Sequence, residues 1–293
     1  MISIVILAYN RSDEVLITIE KLKKLSSSCI YTMEIIVVDN ASADDTSELL
    51  RAHHPEVVLV TKPVNNGIAG WNEGFKIAKY KYILVLDDDS HIESGLNEAI
   101  DYLEQHADIG ILALQILPEK TVPEAELPAD AWQHKQDIVG FIGCGAIIRR
   151  ELFEKIGGYA EWIYLYTHEF EYALRCMDAG YRVNFFGQAI VIHRASTINR
   201  SSKRMRLYSA RNEMAIIYKY FEKDRPKYIF RTLINNLKFI KKEGMASGWY
   251  ILQGFFHFLK LSSKLQHTPV STKVQQFYAD QFWSARPVIR PKK

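Results

Sequence analysis

Four short runs, ISIVILAY from residue 2, MEIIVVD from 33, EVVLVTK from 56 and KYILVLD from 81, are almost wholly apolar and rich in Ile and Val. Strands without an in-out alternation of apolar and polar residues are expected where both faces of a sheet are covered. Amphipathic stretches at Asp13 to Leu25, Ala43 to His53 and Gly70 to Lys79 separate the runs and read as helices. This alternation over residues 1 to 116 predicts an α/β fold with a mostly parallel, Rossmann-like central sheet and flanking helices. At 293 residues and 48% hydrophobic content the chain can bury one large domain, or one domain with an appendage.

Ligands of such sheets bind beyond the carboxyl ends of the strands. The polar signals fall there: Tyr9-Asn10, Asp39-Asn40 and Asp87-Asp88-Asp89. Two carboxylates about 4 Å apart repel by roughly 1 kcal/mol even in water, so the triplet at the end of a buried strand calls for compensation. In extended chain Asp87 and Asp89 share a face and Asp88 points oppositely. Two oxygens on one side suit Mg²⁺ or Mn²⁺, although a bare DDD also serves as a solvated turn. Asp39 at a strand end could accept from a base or ribose hydroxyl, or could cap a helix beside an Asx turn. In NNGIAGWNEGF, residues 65 to 75, Gly67 and Gly70 could expose backbone N–H groups to an anion; their spacing is neither the dinucleotide fingerprint nor a P-loop.

Beyond residue 116 the pattern changes. Residues 118 to 137 carry prolines and polar residues and read as an exposed loop or flap. IVGFIGCGAIIRR, residues 138 to 150, reads as a strand whose glycines admit close approach. A short helix ending at Gly157-Gly158, a helix from Thr167 to Ala179 and a strand YRVNFFGQAIVIH follow. From residue 200 the pattern is helical and basic, with 20 Lys or Arg against 5 Asp or Glu, whereas the remainder holds 17 against 29. Such asymmetry points to a basic surface for an anionic partner. The acidic first part argues against nucleic acid as that partner. Cys29, Cys144 and Cys176 lack metal or disulfide spacing, which fits a reducing, cytoplasmic compartment. MISIVILAYN reads as a first strand, because no basic residue precedes it and no cleavage site follows, as a signal peptide would require.

The ordered set ILAYNR, VVDNASADDT, NNGIAGWNEGF, LVLDDDS, GGYAEWIYLYTHEFEYALRCMDAGYRV and VIHR closely resembles family 2 glycosyltransferases of the GT-A fold, over about residues 2 to 215. The resemblance implies an inverting transfer from a nucleotide-diphosphate sugar, with UDP or dTDP, to an acceptor hydroxyl, assisted by Mn²⁺ or Mg²⁺. It implies a catalytic domain over 1–215, with a donor half to about 116 and an acceptor half from 117, followed by a helical extension over 216–293. Matched residue by residue, Ala8, Tyr9, Asn10 and Arg11 form the first nucleotide-contacting segment and Asp39 reads the base. Asn66, Gly67, Gly70 and Asn72 belong to the donor loop. Asp87 and Asp89 are similar to the ends of a D-x-D motif, beside Asp88, and His193 to an additional metal or diphosphate ligand. Relatives carry an acidic Glu-Asp pair as the base. Here His168 stands at the Glu and Glu169 at the Asp position, so Glu169 is the expected base, its extra methylene moving the carboxylate by over an ångström. A competing reading makes Thr167 a helix cap and Glu169 a partner of the dipole. Glu171 and Arg175, four apart, read as a surface ion pair. Ala160 departs from the Asp of relatives. Trp162, His168 and Arg211 fall on the acceptor or diphosphate side.

Residues 245 to 264, MASGWYILQGFFHFLKLSSK, are rich in aromatics but too polar at Gln253, His257 and Lys260 to span a membrane. They suit an interfacial helix on anionic lipid at the inner membrane face, consistent with a glycan or lipid-linked acceptor. A helix packed on the domain or in a homodimer is the alternative. The ending SARPVIRPKK reads as a basic tail. Two other functions compete: nucleotidyl transfer, whose glycine-rich loop after the first strand is missing in ILAYNRSDE, and nucleotide binding without chemistry.

Overall fold

The computed structural model describes residues 1–119, 137–194 and 201–282. The flap around 118–137 and the terminal tail therefore lie almost wholly outside the described residues. Eight strands form one sheet in the order β3-β2-β1-β4-β7-β6-β8-β5. The four expected strands appear as β1 (Ile2–Ala8), β2 (Met33–Asp39), β3 (Val58–Thr61) and β4 (Tyr82–Asp87), all parallel to one another. β5 (Ser90–Ser94), β6 (Ile109–Pro118), β7 (Ala146–Arg149) and β8 (Arg182–His193) extend it. β7 is antiparallel to β4 and β6, β5 is antiparallel to β8, and β6 is parallel to β8, so four of seven pairings are parallel.

The crossover helices are α1 (Ser12–Ser26), α2 (Thr46–His53) and α3 (Trp71–Ile77). A 3₁₀ turn over Gly67–Gly70 precedes α3. Covered faces explain the apolar runs: Ile4, Ile6 and Leu84 pack with Val15 and Ile19 of α1, whereas Val5, Val38 and Val85 pack with Trp71 and Phe75 of α3. The alternate residues of each strand thus enter two different cores, as the pleat requires. The expected strand over 138–150 shrinks to β7, because residues before it turn, with Gly145 N donating to Ile142 O. β5, β6 and α4 (Leu96–Gln105) were not anticipated.

The second half contributes α5 (Arg150–Ile156), α6 (His168–Asp178) and α7 (Ser202–Tyr220), then α8 (Arg225–Leu237), α9 (Ile240–Glu243), α10 (Met245–Ser262) and α11 (Thr272–Phe282). Pro226 sits in the first turn of α8, where its missing N–H costs nothing. α7 runs through residue 215 unbroken and packs on α8 and α10. No described helix is long and apolar enough to cross a membrane.

Candidate active site

β1, β2 and β4 end at the same level, with Ala8 opposite Asp39 and Leu7 opposite Asp87. Their following residues therefore converge on one edge. Asn10 holds a left-handed φ of 52°, a conformation asparagine tolerates better than most residues. That turn lets Asn10 N donate to Ser42 Oγ (2.9 Å) and Asn10 Oδ1 accept from Ala43 N (2.7 Å), lacing the first loop to the second. Asp39 is buried, accepting from Ser42 N at 2.9 Å and from the Ser47 hydroxyl. The bond from Ser42 N spans three residues, one more than an Asx turn, and the cap of α2 is Asp45. Ala8 is fully buried and accepts from Asn40 N, so it sets the edge through its backbone.

The loop before α3 closes against the segment around Tyr164. Gly67 has φ +65°, and a Cβ there would lie 1.8 Å from Tyr164 O. Ile68 N donates to that same carbonyl at 3.0 Å. Asn40 Nδ2 reaches Gly67 O (3.0 Å), and Gly70 packs tightly on Leu7 and Asn40. Asn66 Oδ1 is buried without a hydrogen-bond partner among the described residues. Asn72 exchanges two 2.8 Å hydrogen bonds with the backbone of Tyr159, so its amide clamps the two halves together.

Contrary to the expectation from the sequence, the acidic triplet is not extended throughout: Asp87 ends β4, and Asp88 and Asp89 form the turn before β5. Asp88 turns toward the first loop, accepting from Tyr9 N (3.3 Å) and Arg11 Nη1 (2.8 Å). Burial pushes its carboxyl up to about 7; the Arg11 charge opposes this, while Asp87 and Asp89 add to it. Arg11 also reaches Asp89 Oδ2 at 3.3 Å, so much of the compensation the triplet needs comes from a protein cation. Arg194 and Thr18 secure the Asp88 carbonyl at 3.1 and 2.7 Å. Asp89 Oδ1, fully buried, lies 3.2 Å from His193 Nε2, and Asp87 Oδ2 lies 4.0 Å from the same nitrogen.

Cys144 completes this pocket. One donor atom each from Asp87, Cys144 and His193 lies within 4.8 Å of the others. Burial pushes the thiol of Cys144 well up, and the charges of Asp87, Asp89 and Glu169 reinforce it. Carboxylate oxygens and an imidazole suit a hard or borderline divalent ion, and a thiol extends the range toward softer ones. The residues present thus fit the metal that the sequence implied. Reading the cysteines by spacing alone missed Cys144, because its partners come from distant strand ends.

Glu169 stands in the first turn of α6, its Oε1 3.4 Å from Gly143 N and its Oε2 3.2 Å from His168 Nδ1. A Cβ on Gly143 would stand 2.8 Å from His168 Nε2 and 3.3 Å from Glu169 Oε1, so only glycine leaves room for both. The His168 ring is buried, stacked on Trp71 (5.9 Å) and edge-on to Tyr159 (4.8 Å). Burial lowers its pKa, keeping it neutral.

Two non-glycine residues before α6, Tyr166 and Thr167, hold φ of 64° and 61°. For a β-branched residue this is a strained position, a feature that collects at functional sites. Thr167 does not cap α6 with its side chain; its hydroxyl donates to Tyr166 O. Asn212 of α7 supports the strained turn by donating to Leu165 O (2.8 Å) and Tyr166 O (2.9 Å). Arg211 donates to Trp162 O (3.0 Å) and Asn212 Oδ1, so its guanidinium supports the same loop. Trp162 Nε1 is buried without a hydrogen-bond partner among the described residues. Glu171 and Arg175 are not a surface pair: Glu171 is fully buried, is gripped by Arg175 at 2.8 and 3.0 Å, and accepts from Tyr220.

Residues 3–157 match the profile of Glycosyl transferase family 2. Among curated proteins the chain is 31% identical over 107 residues to the Escherichia coli UDP-Glc:alpha-D-GlcNAc-diphosphoundecaprenol beta-1,3-glucosyltransferase WfaP, covering 36% of this chain and 41% of that protein. It is 36% identical over 108 residues to the poly(ribitol-phosphate) beta-glucosyltransferase of Bacillus spizizenii, covering 32% of this chain and 15% of the other. The chain thus spans less than half the length of these relatives. Among solved structures, S. aureus TarS 1-349 superposes with a TM-score of 0.61 at 14% identity, over 94% of this chain and 82% of that one. The mannosyltransferase PcManGT of Pyrobaculum calidifontis, solved with GDP-Man and Mn²⁺, gives 0.58 at 18% identity, over 98% and 81%. These likenesses extend the shared fold through the C-terminal helices.

Proposed function

The chain belongs to glycosyl transferase family 2, and from that premise we propose that it is a metal-dependent, inverting glycosyltransferase of surface polysaccharide or glycan synthesis. Its donor would be a UDP- or dTDP-sugar. Its acceptor would be a hydroxyl on a glycan carried by a lipid diphosphate, as the name of the E. coli relative states for that enzyme. The observation that carries the proposal is the cluster of Asp87, Cys144 and His193 with Asp89 3.2 Å from the same imidazole, while Gly143, next to Cys144 in the chain, has its N 3.4 Å from Glu169 Oε1.

Mn²⁺ or Mg²⁺ held by Asp87, Asp89 and His193, with Cys144 within reach, would supply Lewis-acid neutralisation of the leaving diphosphate. The rest falls to the chain. In this reading Asp39, Tyr9 and Asn66 read the nucleotide, Asp39 being held by Ser42 N and the Ser47 hydroxyl. Arg11 holds Asp88 and Asp89 in place before donor arrives. Glu169 takes the proton of the acceptor hydroxyl at a carboxylate oxygen as that hydroxyl attacks the sugar from the face opposite the leaving group. The strained turn at Tyr166-Thr167 fixes where Glu169 stands.

The test is a donor screen across UDP-, dTDP- and GDP-sugars with and without Mn²⁺, run on wild type and Glu169→Gln. Loss of turnover by about 10²–10⁴-fold in the variant, with nucleotide binding retained, is expected of a general base. Unchanged turnover removes Glu169 from the chemistry. Binding without turnover in the wild type replaces the transferase with a nucleotide-sugar-binding homologue.

A further inference from the structure

α10 is apolar on both sides. Ile251, Gly254 and Phe258 are buried, with Gly254 close against the Leu207 backbone and Ala210 of α7. Yet Met245, Trp249, Leu252, Phe256 and Leu259, spaced by four and three residues, form a continuous stripe on the other side and are all exposed. Trp249 keeps 59% and Phe256 58% of their surface, and neighbouring α8 adds Phe230 at 64%. A groove of ≈ 510 Å³ between α8 and α10, lined by Phe230, Leu233, Phe255 and Leu259, continues the patch. A helix that is hydrophobic all round belongs in a core or in lipid, and a patch of this kind marks an interaction surface.

Charge decides what covers it. Residues 225 to 264 hold eight Lys or Arg and a single acid, Glu243, which is paired with Arg206. Lys238, Lys241, Lys242, Lys260 and Lys264 stand exposed near the two ends of α10. A second copy docked face to face would bring this excess of positive charge against itself, as a two-fold interface must. An anionic bilayer complements it, and takes Trp, Phe and Leu at the depth of the lipid headgroups.

We propose that the α8–α10 face is a docking surface for an anionic membrane, on which α10 lies in the plane of the lipid without crossing it. The position is useful because α7 lies between α10 and the acceptor loop: Trp162 packs on the cluster formed by Met214, Ala215, Ile251 and Phe258, while Asn212 and Arg211 hold the same loop from behind. This use rests on the transferase reading; the docking does not.

The test is sedimentation of the full chain with phosphatidylcholine vesicles containing about a third phosphatidylglycerol, beside vesicles of phosphatidylcholine alone. Wild type should partition into the anionic vesicles about tenfold more, and Trp249→Glu/Phe256→Glu should lose about tenfold of that binding while keeping its melting temperature and its donor hydrolysis. Equal retention by the double variant overturns the proposal. So does a wild type that binds no vesicles but forms a concentration-dependent dimer that the same variant dissolves. Vesicle binding that follows these expectations in a protein that hydrolyses no donor upholds the surface and removes the transferase.

Discussion

His168 Nδ1 stands 3.2 Å from Glu169 Oε2, and among the described residues neither ring nitrogen of this buried imidazole has a hydrogen-bond partner. The folded protein resists protonating the ring, whereas the unfolded chain takes up a proton below about pH 6.5. Stability should therefore fall as pH drops through and below 6.5, because the unfolded state binds the extra proton. His168→Phe, which can keep the stack on Trp71, should flatten that acid decline in melting temperature between pH 7 and 5. An unchanged decline would place the acid sensitivity elsewhere.

The Asn212 amide bonds two carbonyls of a turn that carries two residues at positive φ. Such positions cost about 1–3 kcal/mol each and persist only where surroundings hold them. Asn212→Ala should reduce kcat by about tenfold with little change in nucleotide affinity, since the turn positions Glu169 and not the donor. Steady-state kinetics beside nucleotide titration would separate the two effects.

Glu171, Arg175 and Tyr220 form a buried polar knot, and Arg175 also donates to Ile156 O and Gly158 O at 2.7 and 2.6 Å. Removing one partner of a buried ion pair leaves the other uncompensated, so Glu171→Ala should cost about 3–5 kcal/mol in urea unfolding. A loss below about 1 kcal/mol would mean that the pair behaves as an exposed one.

Cys144 gives the proposed metal pocket a donor whose chemistry can be seen directly. Protein loaded with Co²⁺ should show a thiolate-to-cobalt charge-transfer band that Cys144→Ser abolishes, and the variant should bind Cd²⁺ more weakly while Mg²⁺ binding changes little. Identical spectra from both proteins would leave Cys144 as a packing residue.

The parallel half of the sheet was legible because its strands are apolar on both faces, and the site because its polar residues sit at strand ends. What escaped was nonlocal. SHIES has neither alternation nor β-branched enrichment, and becomes β5 only by pairing with β8 from the far part of the chain. Arg11 was read as a nucleotide contact; that it also answers the charge of the triplet depends on a turn at Asn10 that no spacing reveals. Asn72 lies in a motif that suits ligand contact and backbone clamping equally, and only the approach of Tyr159 distinguishes them. Glu171 and Arg175 have the spacing of an exposed pair, and α7 is what buries them.

The contact of Gly67 and Ile68 with the Tyr164 carbonyl joins the two loops to which we assign the donor and the acceptor. Neither can be lengthened or re-angled without disturbing its neighbour. A change of acceptor over descent would have to arise from side chains that project away from this joint, while the joint itself stays fixed.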